Sequence, residues 1–150
     1  MEYRKDKRTK NLTLRDIHVG DWVQEWSPMA ERYSPPMKVS CINYDGTVYL
    51  VSDDENYCNP DETEIENVDA LPIDADLLRG FGFEVIPKDY PKDEFNVLYC
   101  GKKICELWEC GNCISIETQW NSYEYFHEFM GYIYYILPKT FKLEWKGIEK

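Results

Sequence analysis

The sequence predicts an α+β fold, and three observations predict it. Short apolar runs alternate with period two through residues 37–51 and 95–118, and dipeptides containing glycine interrupt them. One long stretch, residues 122–137, places its apolar side chains at helical spacing instead. Between them, residues 65–73 read as a strand that ends at Asp74, a residue type that starts helices by capping their free N–H groups.

The first half reads as strands. Ile17-His18-Val19-Gly20-Asp21-Trp22-Val23 is a glycine turn feeding a strand over residues 21–26. Residues 27–36 hold Pro28, Pro35 and Pro36, which predicts a loop. Met37-Lys38-Val39-Ser40-Cys41-Ile42 alternates, Tyr44-Asp45-Gly46 supplies an Asp-Gly turn, and Thr47-Val48-Tyr49-Leu50-Val51 returns as the second strand of a hairpin. Residues 52–66 are acidic and irregular, with Asp53, Asp54, Glu55, Asp61, Glu62, Glu64 and Glu66. Residues 65–73 read as a further strand. Asp74 caps a short helix over residues 75–79, stopped by Gly80 and Gly82. Four or five short strands after a glycine turn predict a small SH3-like β-barrel with that helix as its exit.

The second half reads as a three-stranded antiparallel meander packed against one long C-terminal helix. Its strands are residues 95–100, 103–109 and 113–118, joined by two-residue turns at Gly101-Lys102 and Gly111-Asn112. Asn121 is placed to cap the helix, and Glu124 to complete a capping box. Tyr123, Phe126, Met130, Ile133 and Leu137 form its core face, and Pro138 ends it. Residues 141–145 alternate as a last strand or a docked tail. The expected organisation is a loose basic arm over residues 1–11, the barrel with its exit helix over 12–83, and meander plus aromatic helix over 84–150. The last two are able to share one core. No repeat or low-complexity tract interrupts the chain.

Composition bounds the function. The chain has 150 residues, 43% hydrophobic and 15% aromatic, enough for a true core and incompatible with global disorder. A net charge of -11 repels phosphate backbones and anionic lipid, so direct nucleic-acid binding is disfavoured. An acidic surface suits a basic partner or imitation of nucleic acid, and its plainest reading is solvation. No apolar run is long enough for a membrane span. The basic start has no apolar stretch behind it and is not a secretory signal. Six cysteines without an export signal are expected to be reduced thiols in a cytoplasmic protein.

The sharpest chemical cluster is Cys100, Cys105, Cys110 and Cys113, which invites a zinc site or a redox pair. The two hairpin turns argue against a shared ion. They set Cys100 opposite Lys103 and on the face of Cys105, and set Cys110 opposite Cys113 on the other face. The face with Leu98, Cys100, Cys105, Leu107, Ile114 and Ile116 is apolar, and cysteine there acts as a small hydrophobe. Residues 53–66 lack the ligand spacing of a calcium loop, and no nucleotide, hydrolase or metalloprotease motif occurs. His18 and His127 read as surface or packing histidines. No cofactor and no catalytic residue are expected. The long helix also carries Tyr125, Phe129, Tyr132 and Tyr135 around the rest of its circumference, the pattern of a buried helix or of one that meets a partner.

Three motifs in order also carry a resemblance. Asp16-Ile17-His18-Val19-Gly20-Asp21-Trp22-Val23 comes first, then Ala70 to Phe83. Phe126-His127-Glu128-Phe129 comes last and runs on to Tyr132-Ile133-Tyr134 and Ile136. Together they resemble small uncharacterised proteins of Bacteroidetes phages, prophages and mobile elements, over about 120 residues. Departures from that pattern are Ala70 for its first proline, Asp74 for its capping threonine and Met130-Gly131 for its Gln-Asn pair. His127 matches its helix histidine. The group has no established activity, so the resemblance implies a genomic setting and an architecture. The function expected is a non-enzymatic cytoplasmic interaction module whose partner is another protein or a second copy. Tyr125, Tyr132, Tyr135, Asp53, Asp54 and Glu55 are its candidate contact residues. The alternatives are an acidic nucleic-acid mimic that inhibits a host defence or DNA-processing protein, and a metal or redox protein using Cys110 and Cys113.

Overall fold

The structure, a computed structural model, describes residues 10–53, 60–90, 94–110, 113–118, 122–137 and 143–147. The chain folds as two units, one running to Leu71 and the other starting at Pro72. The fold is α+β, with antiparallel sheets, the first of them curled like half a barrel, and one main C-terminal helix.

In the first unit, strand β1 (Trp22–Ser27) is the hub. It pairs with β2 (Arg32–Tyr33) through Trp26 and Ser27, and with β3 (Met37–Ile42) through Trp22 and Val23. Strands β4 (Thr47–Val51) and β5 (Asp61–Glu64) extend the sheet beyond β3. A 3-10 turn at Ile65–Asn67 then brings β6 (Val68–Asp69) back onto Gln24 and Glu25 of β1. Alternation along β3 and β4 sends Met37, Val39, Val48 and Leu50 into a core with Trp22, Val23 and Val68. The hairpin turn has Gly46 at φ +95, a backbone region that glycine enters at no steric cost. Ser40 is an extra residue in β3, since Val39 faces Leu50 while Cys41 faces Tyr49.

Three local expectations change here. The proline-bearing loop contains β2, and the acidic stretch contains β5, whose Thr63 alone is buried. Both segments are polar by composition, and only an available neighbouring strand makes them extended. The expected strand over residues 65–73 is broken by the 3-10 turn. The end of the expected loose arm is docked: Asn11 bridges Asp69, and the Lys10 carbonyl accepts from the Ala70 N–H at 2.8 Å. Residues 1–9 lie outside the described residues, as do Asp54 and Glu55. Asp69 is fully buried, and its carboxylate receives the Tyr33 hydroxyl at 2.6 Å and Asn11 Nδ2 at 3.2 Å.

The second unit opens with α1 (Ala75–Gly80), capped as expected by Asp74, whose Oδ1 accepts from the Leu77 N–H at 2.8 Å. The sequence reading groups this helix with the barrel; the structure groups it with the second unit, where Phe81 just beyond it stacks on Phe126. Among the described residues the sheet has five strands rather than three: β7 (Glu84–Pro87), β8 (Glu94–Tyr99), β9 (Lys102–Cys110), β10 (Cys113–Glu117) and β11 (Ser122–Tyr123). Helix α2 (Phe126–Ile136) starts four residues later than expected. Ser122 and Tyr123 pair with β10 instead, and backbone pairing in a sheet is incompatible with the first helical turn. Tyr125 is the cap position and makes no side-chain cap bond; Asn121 lies outside the described residues. The buried face of α2 is Phe126, Phe129, Met130 and Ile133.

Residues 143–147 form the docked tail rather than a strand. Leu143 is buried, the Lys146 N–H donates to the Gly80 carbonyl at 2.7 Å, and Trp145 meets Phe81 edge-on at 5.0 Å. A continuous run of rings follows. Phe81 and Phe126 are parallel at 4.6 Å, Phe126 meets Phe129 at 6.2 Å, and Phe129 stacks on Tyr132 at 5.9 Å. Among the described residues, no helix is long and apolar enough to cross a membrane.

Gly80 is where the indole of Trp145 lies against backbone, and a Cβ there would overlap the ring. Gly80→Ala is therefore expected to destabilise the protein by about 1–3 kcal/mol, the usual range for overpacking. Urea denaturation measures it, and in a Trp145→Ala background the same substitution should be nearly neutral.

Candidate functional site

Helical spacing puts Glu128, Gly131, Tyr132 and Tyr135 on one stripe of α2. Tyr123 arrives beside them from β11. Tyr123, Gly131, Tyr132 and Tyr135 line an open groove of about 430 Å³. Gly131 adds no side chain and nothing approaches the position a Cβ would take, so the groove has room above the helix backbone. Tyr132 is the fixed wall: its hydroxyl donates to the Ile104 carbonyl at 2.8 Å, and its ring lies on Phe129. Burial pushes the Tyr132 phenol above its ordinary value, so it holds its proton and remains a donor. Tyr123 packs on the same Phe129 at 5.9 Å. Tyr135 is 76% exposed.

The other side of Tyr132 borders a second cleft of about 440 Å³, with Ile104, Cys105, Glu106 and Glu117 in its wall. Glu106 and Glu117 face each other in register across β9 and β10, an unfavourable like-charge pair in isolation. Two lysines compensate Glu106, Lys88 at 2.5 Å and Lys103 at 2.9 Å. Lys88 chiefly, then Lys103, holds the Glu106 carboxyl below its usual range.

The cysteine cluster is rearranged by a bulge. Val97 faces Cys105 while Leu98 faces Lys103, so Ile104 is an extra residue in β9. Tyr99 then pairs with Lys102, and the hairpin turn is Cys100-Gly101, both at positive φ (+49 and +80), as a type I′ turn requires. Cys100 is thus an exposed turn residue. It neither faces Lys103 nor shares the buried face with Cys105, as the expected Gly101-Lys102 turn would have it. Burial pushes the Cys105 thiol up to about 12, far from the thiolate range. Cys110 and Cys113 face each other in register, as the Gly111-Asn112 turn predicts. Among the described residues, no group of three or more His, Cys, Asp or Glu side chains is arranged to hold a metal ion.

The first unit contributes a carboxyl pair. Glu25 of β1 hydrogen-bonds Asp61 and Thr63 of β5, although β3 and β4 lie between these strands in the sheet. The contact is possible because the sheet curls. Burial first, and then Asp61, raises Glu25 to about 7, so the pair shares a proton in acid.

Of the expected contact residues, Tyr132 and Tyr135 are brought together in one groove. Tyr125 is elsewhere, at the helix start, bridged to Pro72 and stacked near His127 at 6.2 Å. Asp53 is exposed just past β4. Phe129, expected on the outer circumference, is buried. Tyr123, expected on the core face of the helix, instead sits half-buried on β11 and belongs to the groove, while Gly131 gave no signal in the sequence because it matters by lacking a side chain. No protein-family model, curated protein or solved structure matches this chain.

Two outcomes follow from these environments. Iodoacetamide at pH 8 is expected to alkylate the exposed Cys41 and Cys100 in the native protein and to spare Cys105 until denaturant is added, as read by peptide mass mapping. The raised Glu25 means that the folded state binds a proton the unfolded chain has released, so stability falls as pH rises from about 4.5 to about 7. Melting midpoints across that interval should fall in the native sequence, and Glu25→Gln should flatten the slope.

Proposed function

We propose that this protein is a non-enzymatic, cytoplasmic interaction module that binds a protein partner through the tyrosine groove of α2. The observation that carries the reading is that Tyr123, Tyr132 and Tyr135 converge on one open groove whose rear wall is locked by the Tyr132–Ile104 hydrogen bond. Tyrosine suits such a surface: its ring gives large contact area, its hydroxyl tolerates water, and it loses few rotamers on binding. The most chemically reactive residue type in the neighbouring cleft, Cys105, is held as a neutral thiol, which favours binding over nucleophilic catalysis there.

The curled first sheet is consistent with the SH3-like barrel that the strand pattern predicts. The three ordered sequence motifs support a setting in a phage or mobile element. In this reading the first unit is a scaffold and the second presents the contact surface.

Tyr135→Ala tests the reading with least risk to the fold, because that side chain is mostly exposed. Immobilised full-length protein should recover a partner from host lysate. The variant should lose at least about tenfold of that recovery at an unchanged melting midpoint, the effect of deleting one aromatic anchor. Equal recovery by both proteins would remove the groove from the function. Recovery that instead tracks the acidic loop and vanishes with added salt would favour nucleic-acid mimicry.

A further inference from the structure

We propose that the tyrosine groove is a cation-binding aromatic site, and that its ligand is a lysine or arginine side chain of a basic protein partner. The proposal rests on the interaction reading above and specifies the chemistry of the contact. Among the described residues, the groove is lined by the tyrosines 123, 132 and 135 and by the bare backbone of Gly131. An aromatic face carries the negative end of a quadrupole and attracts a cation held over it, the more so as water is excluded. Three rings around one groove repeat that attraction from several sides.

Carboxylates complete the argument. Glu128 is exposed one helical turn before Tyr132, and two turns before Tyr135, on the same stripe of α2. Glu117 lies on the other side of Tyr132, in the adjoining cleft. Lys103 shares that cleft, but its ammonium is held by Glu106 at 2.9 Å. Among the described residues, the charges on either side of Tyr132 are thus mainly carboxylates, and the whole chain, at -11, favours cationic partners. A phosphate-bearing ligand would be repelled by these carboxylates. The rings are also in place beforehand. The Tyr132 hydroxyl is tied to Ile104, and both Tyr123 and Tyr132 lean on the buried Phe129, so little ordering remains for the ligand to impose.

N-acetyl-arginine amide and N-acetyl-citrulline amide differ in charge and barely in shape, and they provide the test. Titrated separately into the full chain, they are followed by the tyrosine ring resonances in NMR spectra. Arginine amide is expected to shift Tyr123, Tyr132 and Tyr135, and citrulline amide to leave them in place. Tyr135→Phe should bind as the native protein does. Tyr135→Ala should lose about five-fold in affinity, the size of one exposed cation–π contact, and Glu128→Gln should weaken binding as well. Equal shifts from the two probes, or none from arginine amide, overturn the proposal. If arginine amide fails while Tyr135→Ala still abolishes partner recovery from lysate, the interaction surface stands and only the cation is withdrawn. If both fail, the groove has no binding role.

Discussion

The parallel contact between Phe81 and Phe126 is the joint on which the second unit depends. It ties the end of α1 to the start of α2, at a point where α2 has no side chain to cap its free N–H groups. Ring packing, not a capping side chain, fixes the position of this helix start. From that joint, contacts spread in both directions: outward to Trp145 of the docked tail, and inward through Phe129 to Tyr132 and Tyr123. Aromatic rings bury large areas with few rotamers, so a chain of them transmits position as well as stability. The geometry of the tyrosine groove is thus set by packing that begins at the opposite end of the helix, where bare Gly80 makes space for an indole.

The second determinant is a single extra residue. In a strand, side chains alternate between two faces, and one inserted residue reassigns every position beyond it. Ile104 is that residue in β9. Because of it, Cys100 moves into the turn while Cys105 stays in the core as its apolar face predicts, and the ladder is interrupted where the Ile104 carbonyl receives the Tyr132 hydroxyl. The bulge therefore removes two thiols from each other's company and anchors the groove at the same time. Ser40 does a related job in β3, where it increases local twist in a sheet that must curl.

Charge is distributed with similar economy. In the first unit, curling brings Glu25 against Asp61, and the pair is tolerated because a proton is shared. In the second, two lysines converge on Glu106 and relieve its repulsion with Glu117. Lys88 and Lys103 are thereby held by Glu106, while Glu128 stays exposed on the helix stripe that carries Tyr132 and Tyr135. An acidic, tyrosine-lined surface is what remains facing solvent on that stripe of the helix, and it is the physical basis for reading the protein as a binder of a basic partner.

What depends on neighbours in sequence was legible without coordinates. The Asp-Gly reversal at residues 45–46, the Asp74 cap, the pairing of Cys110 with Cys113, and the burial of Phe126, Met130 and Ile133 each follow from a few adjacent residues. What depends on distant partners was not. Strands β2, β5 and β11 are polar or very short and become extended only because another strand offers its hydrogen bonds. The bulge at Ile104 coincides with the Tyr132 hydroxyl bond to its carbonyl, a partner 28 residues away that local composition does not encode. Helical periodicity pointed to Tyr132 and Tyr135. Tertiary structure alone brought Tyr123 beside them and sent Phe129 inward, because a groove is made by surfaces that meet in space and alternation along one element describes only one of its walls.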